Sequence, residues 1–407
     1  MSRYFKNPYE TVAVAGDFYL ESDRTLTEKY RDKIKNHFIQ LFQQWENNIR
    51  LNLRDTSVYT GTAGIALLYL KVYESKIFTE SDRYLLKASE IVENSLKNFQ
   101  TITVPTFLCG EVGLLTVAVL INYHLKKDYY KFLKIIVEIS SNIIHQSSSS
   151  NRIPDEVLYG RSGYLYSLYL LRLKIPETKA LITDDLIRSI VVEIIDSGLR
   201  TSKLLDNNFP LTYFWYKEAY VGAAHGYAGI LYMLLQSADL IDDNQKLNLI
   251  KPTIDYIVSV QFPSGNFPAV LCDEEDKLVH WCHGSPGLIY LLSSACKHFD
   301  QSDRYLQSAL LACENIWKKG LLKKGYGLCH GTAGNGYAFL RLFSLTKDPK
   351  HLFRALKFAE WCFDYGIHGC RTPDNPFSLF EGMAGTLYYL LDLLNPLDAK
   401  FPSFQLD

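Results

Sequence analysis

Apolar residues fall along the chain in short dense runs, each opened by two glycines three positions apart. Gly61-Thr-Ala-Gly64 leads into Ile65-Ala-Leu-Leu-Tyr-Leu70, which is apolar nearly all round and predicts a buried helix. The same Gly-x-x-Gly step opens an apolar run at Gly110, Gly160, Gly226, Gly284, Gly331 and Gly382. The intervals are 49, 50, 66, 58, 47 and 51 residues. One such step carries no information, but seven at a steady period mark a repeat architecture.

Between the runs the apolar pattern narrows to one face. Leu85, Leu86, Ala88, Ile91, Val92 and Leu96 recur at helical spacing, so an amphipathic helix follows the buried one. Its opening returns in the fifth unit, where Ser302-Asp-Arg-Tyr-Leu306 repeats Ser81-Asp-Arg-Tyr-Leu85. Seven such pairs can bury their apolar helices by stacking as a solenoid or by closing into a ring. A solenoid needs polar caps at its ends, yet Gly382 to Leu394 is as apolar as the middle units. The expected fold is all-α, a seven-fold double-layered α/α toroid with seven inner and seven outer helices. Residues 1–407 are expected to form a single domain on which an N-terminal extension, residues 1–50, packs. Every glycine pair then lies at one mouth, where seven helix dipoles are expected to direct partial positive charge.

Composition removes several functions. The 407 residues carry 43 Lys and Arg against 44 Asp and Glu, with no long block of one sign, which excludes a nucleic-acid binder. An apolar share of 47% excludes intrinsic disorder. The apolar runs are shorter than the ~20 residues that span a bilayer, so no transmembrane segment is expected. Met1-Ser-Arg-Tyr4 begins neither a signal peptide nor a myristoylation site, and cytoplasmic residence is the expectation. Eight cysteines without a disulfide framework point to reduced thiols or metal ligands.

The residues just before the leading glycines should ring the mouth. They are Thr60, Cys109, Tyr159, His225, His283, His330 and Glu381, preceded by Tyr59, Leu108, Leu158, Ala224, Cys282, Cys329 and Phe380. Three of ten histidines and three of eight cysteines fall in these places. Cys282-His283 and Cys329-His330 stand in consecutive units, and thiols beside imidazoles favour zinc. Three protein ligands with one open position would make the site catalytic and four would make it structural; the spacing leaves both open. An open position suits a thiol, which zinc deprotonates, better than water, because thiolate ligands make bound water a weaker acid. His225, without a neighbouring cysteine, is a candidate general acid.

Tyr59-Thr-Gly-Thr-Ala-Gly64, Ala224-His-Gly-Tyr-Ala-Gly229, Trp281-Cys-His-Gly284 and Gly327-Leu-Cys-His-Gly331 resemble the motifs of the lanthionine synthetase C-like family. Lys323-Lys-Gly-Tyr-Gly-Leu-Cys-His-Gly331 and His368-Gly-Cys-Arg-Thr-Pro-Asp374 are similar to its eukaryotic, glutathione-binding branch. The resemblance implies a zinc ion held by Cys282, Cys329 and His330, with His283 a neighbour. It also implies glutathione contacts at Lys324, Arg371, Thr372, Pro373 and Asp374, with Arg3 added. Lys324 and Arg371 suit the two carboxylates of glutathione and Asp374 its ammonium.

The activity implied is zinc-dependent transfer of the glutathione thiol to dehydroalanine or dehydrobutyrine residues in proteins, or to other electrophiles, with His225 as proton donor. Position 161, where an acid would extend that scheme, is Arg161. A glutathione and zinc sensor or adaptor without turnover is the alternative. The longest interval contains Asp206 to Tyr220, whose aromatic run Tyr213-Phe-Trp-Tyr216 either covers the mouth, grips a polypeptide or packs in the core.

Overall fold

The computed structural model describes residues 2–14, 18–20, 25–97, 99–145, 153–205, 209–300 and 302–407. Residues 206–208, the start of the Asp206 to Tyr220 stretch within the long third interval, lie outside the described residues. Helix α1 (Glu28–Asn48) precedes the repeats, which begin with inner α2 (Thr62–Ser75) and outer α3 (Asp82–Leu96). The second unit is inner α4 (Glu111–His124) with outer α5 (Tyr130–Glu138) and α6 (Ser140–His145), and the third pairs α7 (Arg161–Lys174) with α8 (Asp184–Leu205). Inner α9 (Tyr227–Gln236) is backed by α10 (Asp243–Gln245), a π-helical turn over Lys246–Ile250, and α11 (Lys251–Ser259). The fifth and sixth units are α12 (Ser285–His298) with α13 (Ser302–Lys319), and α14 (Thr332–Thr346) with α15 (Pro349–Phe363). Inner α16 (Met383–Asp392) ends the series and packs against α2, closing the ring.

The seventh outer helix does not follow its inner partner in sequence. Helix α1 lies against α16 and α15 and takes that place, burying Ile34, Phe38, Leu41, Phe42 and Trp45 along one stripe. The Trp45 indole donates to the Phe377 carbonyl (2.9 Å) and ties α1 to the last loop. The 21-residue helix of the N-terminal stretch is thus an integral part of the outer ring. Leu86, grouped with the apolar face of α3, is exposed instead.

The residues after α16 run inward. Phe401 and Phe404 fill the middle of the ring among Tyr290 of α12, Tyr337 of α14 and Tyr232 of α9. Asp407 there accepts from Tyr232 (2.7 Å) and pairs with Lys297 (2.7 Å) and Arg341 (2.7 Å). Burial pushes the Asp407 carboxyl up, but Arg341 and the hydrogen bonds outweigh it and hold it well below the ordinary range. Its folded pKa is depressed, so its stabilisation is present above the unfolded value of about 4 and is lost as pH falls through the folded value. Asp407→Asn should cost roughly 2 kcal/mol at neutral pH by leaving the buried Arg341 guanidinium short of its charged partner. Urea melts at pH 7 and below pH 4 check this: the difference between wild type and variant should shrink with acid.

Each leading glycine is the N-cap of its inner helix. At Gly284 the backbone is left-handed (φ +104°) and a Cβ would meet the Leu278 carbonyl oxygen at 2.0 Å, so no other residue fits. The expected field of seven helix dipoles is largely spent inside the protein. The first-turn amides donate to carbonyls seven residues upstream, as Thr62 to Asp55, Gly113 to Thr106, Arg161 to Pro154, Tyr227 to Tyr220, Thr332 to Gly325 and Met383 to Pro376. In α12 the Asn266 side chain accepts from Ser285 N–H instead. Positive potential at the mouth therefore rests on side chains.

Candidate metal centre

The seven loops that lead into the inner helices are laced together by main-chain hydrogen bonds. Tyr59 N–H donates to the Leu108 carbonyl, Phe380 to Tyr59, Cys329 to Phe380, Cys282 to Cys329, Ala223 to Trp281 and Val157 to Ala224. The Thr106 hydroxyl, beside Leu108, donates to the Val157 carbonyl (3.2 Å) and completes the circuit. Gly222 permits one close passage, because a Cβ there would lie 2.0 Å from the Cys282 carbonyl oxygen. A belt of this kind sets side-chain positions without using the side chains.

On the belt Cys282, Cys329 and His330 meet, their ligand atoms all within 4.8 Å of one another. Both thiols are buried and unbridged, and the group could hold a metal ion. Burial, and then the neighbouring Cys282, push the Cys329 thiol well above its usual range, so a cation is what would make that sulfur a thiolate. Two soft sulfurs and one imidazole, without a carboxylate, form a donor set that suits zinc with one position left open. Tyr59 stacks on Phe380, with ring centroids 4.9 Å apart. His283 is outside the cluster; its buried Nδ1 has no protein partner. His280, which the sequence did not single out, is buried with Nδ1 4.0 Å from the Cys282 sulfur. Burial, with Lys324, His330 and Arg3 adding to it, lowers its pKa to about 3.

Lys324, His330, Arg371, Pro373, Asp374 and Glu381 line one cavity of about 110 Å³. Arg371 pairs with Asp374 (2.9 Å), and its amide donates to the Lys323 carbonyl (2.8 Å). Arg3 is brought alongside by pairing of Tyr4 with Leu322, and its carbonyl accepts from Lys323 N–H (3.0 Å). Thr372 is exposed and does not line the cavity. Lys324 and Arg371 thus share this cavity with His330 and with the carboxylates of Asp374 and Glu381.

On the other side His225 Nδ1 meets Glu156 Oε2 at 2.7 Å. Glu156 is 1% exposed and also accepts from the amides of Leu158 (3.0 Å) and Tyr159 (2.5 Å). Burial raises the Glu156 pKa, opposed by His225 and these amides. The sequence missed Glu156: it stands four residues before Gly160, outside the places ranked as the ring. Arg161 is fully buried and structural, pairing with Asp155 (2.9 Å) and donating to the carbonyls of Ile143 and Ile153. His225 and His283 are 6.3 Å apart by ring centroids, which puts the His–Glu pair near the residue that follows Cys282 in the chain.

A ring of seven helix pairs with a Cys–Cys–His cluster at its mouth defines the class: the chain belongs to the lanthionine synthetase C-like family, whose family model matches residues 52–406. Among relatives, it is 44% identical to the Danio rerio protein named glutathione S-transferase LANCL1, with 99% of each chain covered. It is 33% identical to the LanC-like protein GCL1 of Arabidopsis thaliana, over 86% of this chain and 82% of the other. In fold it resembles nisin cyclase, with a TM-score of 0.67 over 89% of this chain and 95% of that one, at 19% identity.

Proposed function

We propose that this protein is a zinc-dependent transferase that adds the thiol of glutathione to an activated alkene, foremost a dehydroalanine or dehydrobutyrine residue of a polypeptide. The observation that carries the reading is that Cys282, Cys329 and His330 meet, with His330 lining the cavity of Lys324 and Arg371 and a His–Glu pair near His283. The name of the zebrafish relative supports the thiol, and the donor set supports the metal. Eight unbridged cysteines support a reducing, cytoplasmic setting.

Zinc bound by Cys282, Cys329 and His330 would supply a glutathione sulfur held as its thiolate. Lys324, Arg371 and Arg3 bind the carboxylates of glutathione, and Asp374, released in part from Arg371, takes its ammonium. The sulfur forms a bond to the alkene β-carbon, and the π electron pair moves to the α-carbon and its carbonyl. His225 Nε2 takes the proton lost from the thiol and gives it to the α-carbon, which leaves the imidazole as it began. Sulfur and hydrogen have then added across the double bond with no net change in the protein. Glu156 accepts from Nδ1–H, which leaves Nε2 as the working nitrogen.

The test is to incubate the protein with zinc, glutathione and a dehydroalanine peptide and look for the adduct by mass spectrometry. Lys324→Met should raise KM for glutathione about fivefold while zinc content holds. Tight glutathione binding without any adduct would replace this reading with the sensor.

A further inference from the structure

The aromatic run Tyr213 to Tyr216 splits in the fold. Tyr213 is a core residue whose hydroxyl donates to the Ile194 carbonyl (3.2 Å). Trp215 instead stacks on His225, with ring centroids 3.7 Å apart and planes at 9°. Tyr159 lies parallel to both, 6.0 Å from Trp215 and 6.1 Å from His225. Tyr216 stands across Trp215 at 4.6 Å and 77°, so the two rings make a corner beside the imidazole.

Tyr216 has no folding reason to be there. It sits at the tip of a tight turn closed by Trp215 N–H to the Glu218 carbonyl (3.1 Å) and Glu218 N–H to the Trp215 carbonyl (3.3 Å). Its backbone is left-handed (φ +54°), where glycine or asparagine is favoured and a bulky residue is strained. Its ring is 86% exposed and contributes nothing to the core. A strained backbone holding out an aromatic ring within one residue of the His225 stack marks a contact surface.

We infer that Trp215 and Tyr216 form the electrophile subsite, an aromatic corner that holds the planar unsaturated amide of the substrate against the proton-donating edge of His225. The inference rests on the transfer reading and adds the means of recognition. A dehydroalanyl unit is flat, because its Cα=Cβ bond is conjugated with the flanking amides, and a flat π system stacks on one ring while meeting the edge of another. Addition of sulfur and hydrogen makes the α-carbon tetrahedral and destroys that plane. The corner therefore favours substrate over product as well as alkene over ordinary peptide.

The experiment uses the full chain with zinc, S-methylglutathione to block turnover, and two synthetic hexapeptides that differ only in dehydroalanine or alanine at the centre. Wild type should bind the dehydroalanine peptide about fivefold more tightly than its alanine counterpart. Tyr216→Gly, which also relieves the backbone, should erase the difference, and Tyr216→Phe should restore it. With glutathione, the loss in Tyr216→Gly should fall on KM for the peptide rather than on kcat. A discrimination that persists in Tyr216→Gly overturns the corner even if wild type turns over. Discrimination in wild type without any adduct keeps the corner and overturns the transfer reading.

Discussion

Replacing Cys329 by alanine should lower zinc affinity by roughly a hundred- to a thousandfold, while helicity and melting temperature stay close to wild type. The magnitude follows from dividing the ~10–16 kcal/mol of a four-ligand zinc site among its ligands, about 3 kcal/mol each. The retained fold follows from the belt: Cys329 is held by its own N–H to the Phe380 carbonyl and by Cys282 N–H to its carbonyl, neither of which alanine disturbs. Loss of one small buried side chain should cost about 1 kcal/mol, a minor fraction for a ring of this size. Metal per chain after dialysis, thermal melts and adduct formation are read together. Unfolding of the variant would mean that the metal is structural, and the catalytic reading of the site would fall with it.

What could be read in advance divides along a physical line. The ring was legible because a glycine pair ahead of an all-apolar helix is a local constraint, enforced seven times by the same close passage of a loop. The origin of its seventh outer helix was not, because packing of α1 on α16 joins residues more than 300 positions apart and leaves no periodic trace; Trp45 reaching Phe377 is such a contact. The cysteines and His330 stood out because they share a register with the glycines. Glu156 did not, since its task is set by His225 from the next unit, and one buried glutamate looks like any other in sequence. The charge of the mouth was hidden for a related reason: a helix start does not reveal whether its amides face a cavity or a carbonyl, and here they face carbonyls. Even the aromatic run illustrates the limit, as its neighbours Tyr213 and Tyr216 end up in core and solvent respectively.

His225→Asn should lower kcat for addition to a dehydroalanine peptide by about a hundredfold or more, the usual range for loss of a positioned proton donor. Asparagine can still reach Glu156, so the pocket is conserved while the transferable proton is lost. The stereochemistry of the product separates this role from a packing role. In heavy water, wild type should deliver deuterium to one face of the α-carbon and give a single epimer, whereas His225→Asn, relying on solvent, should give both. Glu156→Gln should act through His225. Its carboxylate accepts from Leu158 N–H, Tyr159 N–H and His225, and an amide would set its own N–H groups against at least one of these donors, at about 1–3 kcal/mol of stability. The double variant should then be no slower than His225→Asn alone, because a positioning residue has nothing left to position. Full activity with one epimer in His225→Asn would place the donor elsewhere, whereas a further loss in the double variant would give Glu156 a role of its own in proton transfer.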